Sequence, residues 1–325
     1  MGQVLYPRTL VATTMVLAPM GGAMTAPRQV IPGRMYLITR RCTRREFLLR
    51  PSKRTDEAFL YCLGVACRRY GMKLCWLTVM SNHYHAGIQD VDGCYPEFLR
   101  YFHSLLARCL NAHHGRWENL WASEQTCVVH LGDADAVFDK MVYSLCNAVK
   151  DHLVDRVHLW PGFCSYSSQL ADRPVVVKRP AWFFDESGDM PEQVELHFAR
   201  PPEFADLSSA QWVEKLRAAV AEEEAKAAAE RQADGRRVLG RKAIRRQSPF
   251  ACPKTCADRR VLRPRVASKN KWRRIELLTR NKWFLQRYRE AYARRRAGES
   301  DVLFPHGSYK LRVQGLVRCE PPPCG

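Results

Sequence analysis

The sequence lacks three features that would each indicate a particular class of protein. No stretch approaches the roughly 18 uninterrupted apolar residues of a membrane-spanning helix, so we expect no membrane partner. The 13 cysteines are odd in number and scattered, and no two cysteine pairs have the spacing of a zinc site. This pattern indicates reduced thiols in the cytoplasm. No cluster of Asp and Glu has the pattern of a two-metal nuclease. With 325 residues, 46% of them hydrophobic, the chain can bury a sizeable core.

The positive charge of the chain is concentrated towards its end. Basic side chains exceed acidic ones by 19 overall, and residues 231–325 contain 26 basic and 7 acidic side chains. Residues 1–230 therefore carry no net charge. A concentrated basic segment indicates a polyanionic partner, most often nucleic acid. Anionic lipid, or a requirement for solubility alone, would produce the same total.

Short apolar strands alternate with longer helical runs over residues 35–153. The pattern predicts strands over 35–39, 73–80, 83–89 and 125–131, and helices over 55–70, 96–113 and from the N-cap Asp133 to about residue 153. The order β-α-β-β-α-β-α predicts an α+β fold, a ferredoxin-like antiparallel sheet backed by helices.

Composition divides the chain into four parts. We expect a flexible N-terminal arm over 1–27, the α+β domain over 28–172, an acidic, proline-containing linker over 173–207 and a helical, basic C-terminal extension over 208–325. Ser208 and Gln211 offer a capping box to the first helix of the extension. On a second helix, predicted over 268–297, aromatic and basic residues interleave, which is typical of a surface that follows phosphates; a solvated helix face is the alternative.

One pair of histidines and one pair of helical residues carry candidate chemistry. The two-residue period of a strand places His83 and His85 on one face and Tyr84 on the other, so the two imidazoles can share a divalent metal. Tyr143 and Asn147 are four residues apart on a predicted helix and therefore lie on one face. The Asn147 amide oxygen could complete a site with open coordination positions. Each pair alone is more often structural, and the combination is what indicates a functional site.

Taken together, these residues resemble the HUH single-tyrosine transposases of the small insertion sequences, and within them the transposases associated with repetitive extragenic palindromes. The resemblance covers about residues 28–170 and rests on the segments RQVIPG (28–33), VMSNHYH (79–85), Tyr143 with Asn147, Trp160-Pro161 and SYSS (165–168). Trp121 matches a tryptophan of the family, although the arginine expected shortly after it is absent.

The resemblance implies a DNA transposase with residues 28–172 as its catalytic domain. His83 and His85 would bind Mg²⁺ or Mn²⁺, Asn147 would be a third ligand and Tyr143 the nucleophile. The implied products are a 5′-phosphotyrosine bond and a free 3′-hydroxyl, and the implied substrate is single-stranded or hairpin DNA at palindromic ends. Both a homodimer and a monomer remain open.

Aromatic and basic residues provide candidate DNA contacts, because bases stack on aromatic rings and phosphates pair with cations. The candidates are Trp121, Trp272, Arg273, Arg274, Lys282, Trp283 and Arg287. Two other functions remain open at this point. One is a catalytically silent DNA-binding protein or repressor on the same fold, and the other is a metal-dependent hydrolase that uses water and does not need Tyr143.

Overall fold

The computed structural model of the protein describes residues 27–254 and 264–322. Apart from Pro27, the predicted N-terminal arm lies outside the described residues. The first elements are β1 (Arg34–Arg41), α1 (Lys53–Arg69), β2 (Lys73–Val79), β3 (His83–Asp90), α2 (Tyr95–His114), β4 (Cys127–Leu131) and α3 (Ala134–Leu145). Apart from the end of the last helix, each predicted element is present, with its ends shifted by at most two residues.

The sheet has the connectivity predicted from the sequence. Its strand order is β2-β3-β1-β4, with every neighbouring pair antiparallel, and a short fifth strand, β7 (Val266–Ala267), adds to β4 in parallel. In the register of β1 against β3, Thr39 lies opposite His85. The predicted α+β architecture, with a largely antiparallel sheet backed by helices, is confirmed.

Helices cover both faces of this sheet. Because successive strand residues point to opposite faces, Ile38 and Tyr84 pack into the core under α1 and α2. Leu37 and Trp76 pack into a second core with α3. The second core also includes Leu216 of α6 (Ser209–Ala233), so the extension covers part of the sheet.

The helix that follows β4 is shorter than predicted. It begins as expected, since the Asp133 side chain accepts a hydrogen bond from the backbone N–H of Ala136. It ends at Leu145, turns at the buried Cys146 (φ −86°, ψ 4°) and restarts as α4 (Asn147–Lys150). The Ser144 hydroxyl donates to the carbonyl of Lys140 at 2.6 Å, a back-bond that bends helices.

The segment expected to be a linker contains a β-hairpin. After α5 (Tyr166–Ala171), the strands β5 (Val175–Lys178) and β6 (Gln193–Leu196) pair antiparallel. Val177, Val194 and Leu196 are buried in the core that includes α1. The acidic residues Glu192 and Glu195 therefore lie at exposed positions of a packed element, because alternate hydrophobic residues of the hairpin face α1. The proposed domain boundaries themselves stay a prediction.

The C-terminal extension is helical at its centre. The capping box of α6 is formed, with hydrogen bonds of 3.2 Å and 2.8 Å between Ser208 and Gln211. The remaining elements are α7 (Arg241–Arg246), α8 (Lys271–Arg296), β8 (Leu303–Phe304), α9 (Lys310–Val313) and β9 (Arg318–Cys319). Over residues 27–254 and 264–322, no helix has both the length and the apolar character needed to cross a membrane.

Gly87 of β3 allows the Trp76 ring to lie flat against the strand that carries the two histidines. A Cβ atom at Gly87 would lie 2.2 Å from Cδ2 of Trp76. Gly87→Ala should therefore lower the free energy of unfolding by about 1–3 kcal/mol or more through overpacking. Urea denaturation measures this. The control is Gly188→Ala, where the nearest heavy atom is 3.4 Å away and the site is exposed. Equal effects of the two substitutions would contradict the packing of Trp76 on Gly87.

Candidate active site

The two histidines of β3 lie side by side on the face covered by α3. The His83 and His85 rings are nearly perpendicular, with centroids 4.9 Å apart. Tyr84 points to the other face, where its hydroxyl is hydrogen-bonded to Nε2 of His103 at 2.6 Å. Because strand residues alternate between the two faces of the sheet, both imidazoles lie together on the α3 face, and Tyr84 lies on the other face.

A neighbouring side chain fixes the Nδ1 atom of each histidine. His83 Nδ1 lies 2.7 Å from Oδ1 of Asn82, and His85 Nδ1 lies 2.8 Å from the hydroxyl of Thr39. Because the Asn82 amide nitrogen donates to the Arg45 carbonyl, Asn82 Oδ1 is the acceptor and His83 Nδ1 the donor. In a neutral imidazole whose Nδ1 is the donor, the lone pair is on Nε2, which is the arrangement usual for metal-binding histidines.

Asn147 places an oxygen beside that lone pair. As the first residue of α4, it is buried, and its Oδ1 lies 3.1 Å from His83 Nε2. This is close to the spacing of adjacent ligands around an octahedral ion with bonds of about 2.1 Å. No cluster of three or more His, Cys, Asp or Glu is present among the described residues, so an ion here would depend on the amide. The three side chains fit a divalent ion with coordination positions left for substrate and water.

Burial keeps both imidazoles neutral. Desolvation, with a smaller contribution from Arg41, lowers the pKa of His83 to about 4. Desolvation, together with repulsion from His83 and Arg41, lowers the pKa of His85 well below its ordinary value. At neutral pH both rings are therefore in the form that can donate a lone pair to a metal.

Tyr143 lies next to the histidine pair and faces solvent. Its ring is edge-on to His85, with centroids 5.7 Å apart, and the residue is 40% exposed. The ammonium groups of Lys140 and Lys150 lie 5.6 Å and 5.3 Å from the centre of the Tyr143 ring. Positive charge at this distance attracts an approaching anion such as a phosphate. Tyr143 is partly accessible from solvent.

An ion pair links the extension to this site. Lys150 is bound at 3.0 Å by Glu223 of α6. Sequence reasoning missed Thr39, Lys140 and Lys150. The three-residue spacing of Lys140 and Tyr143 on a helix was an available signal. The pairing of Thr39 with His85 depends on strand register, for which the local sequence gives no direct signal.

Trp121, proposed from the sequence as a DNA contact, is a core residue. It is only 7% exposed, its ring packs against Tyr84 and His103, and its indole N–H donates to the carbonyl of His103 at 3.0 Å. An isolated antiparallel β-bridge pairs Trp121 with Cys42, which follows β1. The interpretation of Trp121 as a stacking surface for bases is therefore wrong.

The other candidate DNA contacts lie together on α8, away from Tyr143 in sequence. Trp272 is 76% exposed and Trp283 is 49% exposed, and the Arg287 guanidinium lies 5.4 Å from the Trp283 ring. Arg274 and Lys282 are exposed, whereas Arg273 is paired with Glu276 at 2.8 Å and Arg287 is paired with Glu320. We call the exposed side chains Trp272, Arg274, Lys282, Trp283 and Arg287 the α8 surface.

Comparison with known proteins gives partial structural similarity only. No model of a known protein family matches the chain, and no curated protein matches it in sequence. A REP-associated tyrosine transposase bound to a REP hairpin is 17% identical, with a TM-score of 0.39 over 52% of this chain and 94% of that one. A candidate transposase from Deinococcus radiodurans R1 is 18% identical, with a TM-score of 0.26 over 33% of this chain and 85% of that one. These values are too low to carry an activity.

Proposed function

We propose that the protein is a DNA transposase that cleaves and rejoins single-stranded DNA with Tyr143 as the nucleophile. The observation that supports this most directly is the exposed Tyr143 ring, which lies 5.7 Å from the His85 ring beside His83 and Asn147. A metal-dependent hydrolase would not need a tyrosine there. The sequence resemblance adds hairpin or palindromic DNA ends as the substrate.

The chemistry is a transesterification at phosphorus. The Tyr143 oxygen forms a bond to the scissile phosphate, and the bond from phosphorus to the 3′-oxygen breaks. The phenolic proton is lost to solvent, and the departing 3′-oxygen takes up a proton. Because one phosphodiester replaces another, a 3′-hydroxyl can reverse the step and rejoin DNA without ATP. Mg²⁺ or Mn²⁺ held by His83, His85 and Asn147 would polarise the phosphate.

In this scheme Lys140 and Lys150 provide positive charge beside Tyr143. Their ammonium groups lie 5.6 Å and 5.3 Å from the centre of the Tyr143 ring, where they attract the phosphate. The ion pair of Lys150 with Glu223 restricts where its ammonium can lie. Thr39 and Asn82 orient the imidazoles so that their Nε2 atoms can face the metal.

A DNA-binding protein without catalysis is the second candidate. The α8 surface favours it, because exposed tryptophans among basic side chains bind single strands without any need for Tyr143. The two candidates differ in one observable, a covalent bond between protein and DNA.

A covalent adduct tests the proposal. Purified protein is incubated with end-labelled hairpin DNA with a single-stranded flank and Mn²⁺, then separated on a denaturing gel. We expect a labelled protein–DNA band that Tyr143→Phe and His83→Ala abolish and chelation of the metal prevents. Tyr101→Phe, a half-buried tyrosine of α2, is the matched control and should leave the band intact. Binding of the hairpin without any covalent band would favour the silent DNA-binding protein.

The Thr39 hydroxyl provides a test of the metal site that does not depend on cleavage. Thr39→Val removes the partner of His85 Nδ1 at constant shape, and losing such an orienting group typically lowers metal affinity about 10- to 100-fold. Thr39→Ser keeps the hydroxyl and should bind Mn²⁺ nearly as the parent does. Mn²⁺ titration followed by electron paramagnetic resonance measures both. Unchanged affinity in Thr39→Val would show that His85 does not bind the metal.

Two tryptophans of opposite burial test the DNA surface. Trp272→Ala should weaken binding of a single-stranded oligonucleotide by about 1–3 kcal/mol, the usual contribution of one stacked base, and change stability by less than about 0.5 kcal/mol. Trp121→Ala should lower the free energy of unfolding by about 3–5 kcal/mol. Fluorescence anisotropy and urea denaturation measure the two quantities. A Trp272→Ala variant with full DNA affinity would remove the α8 surface from the proposal.

A further inference from the structure

A cavity of about 230 Å³ lies on the opposite face of the sheet from Tyr143. Its floor is the β1–β4 pair, where Tyr36 lies opposite His130, and Tyr95 of α2 lies beside them. Tyr36 and Thr39 are three residues apart on β1 and therefore point to opposite faces. Arg265, next to β7, and Arg280 of α8 form the outer wall. The cavity is thus built jointly by the α+β domain and the C-terminal extension.

The cavity concentrates positive charge. Arg28, Arg34, Arg265 and Arg280 line it, and none of its described lining residues is acidic. Within the described part of the chain, none of these four arginines forms an ion pair. Burial lowers the pKa of Arg34, with a further contribution from Arg280, and burial together with Arg28 lowers the pKa of Arg265. The four guanidinium groups repel one another, and a bound anion would remove that repulsion.

Backbone carbonyls hold two of these arginines in place. Arg28 donates to the carbonyl of Thr126 at 2.7 Å, and Arg265 donates to the carbonyl of Pro27 at 3.4 Å. A guanidinium has five N–H donors, so each keeps further donors for a ligand. These contacts reduce the conformational freedom that an anion would otherwise have to restrict.

Tyr36 provides a second and independent sign of a ligand. The residue is 3% exposed and lines the cavity, yet its hydroxyl has no hydrogen-bond partner among the described residues. The Arg34 guanidinium lies close enough to the Tyr36 oxygen to interact with it, but a guanidinium has no acceptor, so the Tyr36 O–H has nothing to donate to among the described residues. A buried hydroxyl without a partner is costly and rare in native proteins. A ligand oxygen in the cavity would accept the hydrogen bond that the protein leaves unmade.

We propose that this cavity binds a phosphate group. Guanidinium groups match the oxygens of phosphate in charge and geometry, and the Tyr36 hydroxyl would donate to one of those oxygens. The volume is below the range of about 300–1,000 Å³ usual for drug-sized ligands, which suits a phosphate, alone or on a nucleotide, and excludes a duplex. The phosphate can belong to a DNA end or to a free small molecule. The proposal does not depend on cleavage by Tyr143.

Calorimetric titration of the full-length protein with inorganic phosphate, in the presence of a metal chelator, tests the site. Arg280→Ala and Tyr36→Phe should each weaken phosphate binding about tenfold, the usual effect of losing one charged hydrogen bond. Arg296→Ala removes the same charge from an exposed position on the same helix and should leave the affinity unchanged. Tyr36→Phe removes only an unpartnered hydroxyl, so it should fold normally. The absence of phosphate binding, or equal affinity in all three variants, would overturn the proposal.

Competition identifies the source of the phosphate. A short oligonucleotide with a 5′-phosphate should compete with inorganic phosphate if the ligand is a DNA end, and the same oligonucleotide without it should not. Competition by thymidine 5′-monophosphate but by neither oligonucleotide would identify a free nucleotide as the ligand and would equally support the site. The Tyr143→Phe variant should bind phosphate as the parent does. The cleavage assay and the phosphate titration can therefore fail independently of each other.

Discussion

The antiparallel pairing of β1 with β3 determines where the candidate active site is located. In this register Thr39 lies opposite His85, and the two-residue period directs both histidines towards α3. A slip of one residue would turn the imidazoles into the core under α1 and α2 and put Tyr84 in their place. Trp76, packed flat on Gly87 of the same strand, stabilises this arrangement from the neighbouring strand. The candidate site is therefore a direct consequence of strand register.

The second constraint is the break in the helix after β4. Although the turn at Cys146 makes Asn147 the first residue of a new helix, Tyr143 and Asn147 both lie against the histidine pair, as residues four apart on one helix would. The Asn147 amide reaches His83 while Tyr143 stays exposed beside His85. The extension supports this arrangement through Glu223 and Lys150, and on the other face of the sheet it adds a wall to the basic cavity. The extension thus contributes to both faces of the domain.

Much of this fold follows from local sequence signals. Strand alternation, the Asp133 N-cap and the Ser208 capping box each depend on residues within a few positions, and each is found where the sequence places it. The facing of His83 and His85 is a property of one strand and could also be predicted. The break at Cys146, the burial of Trp121 and the hairpin inside the expected linker could not, because they depend on packing between distant segments. The pairing of Thr39 with His85 could not be predicted either, because it depends on strand register. The arginine cavity could not be predicted because it forms where β7 joins the sheet.

The measurement that tests the central claim most directly is the identity of the residue that becomes attached to DNA. Protein incubated with hairpin DNA and Mn²⁺ is digested with nuclease and protease, and the nucleotide-bearing peptide is sequenced by mass spectrometry. The proposed function predicts a nucleotide joined through its 5′-phosphate to the Tyr143 oxygen. A nucleotide attached to any other side chain, or cleaved DNA with no attached peptide, would contradict it.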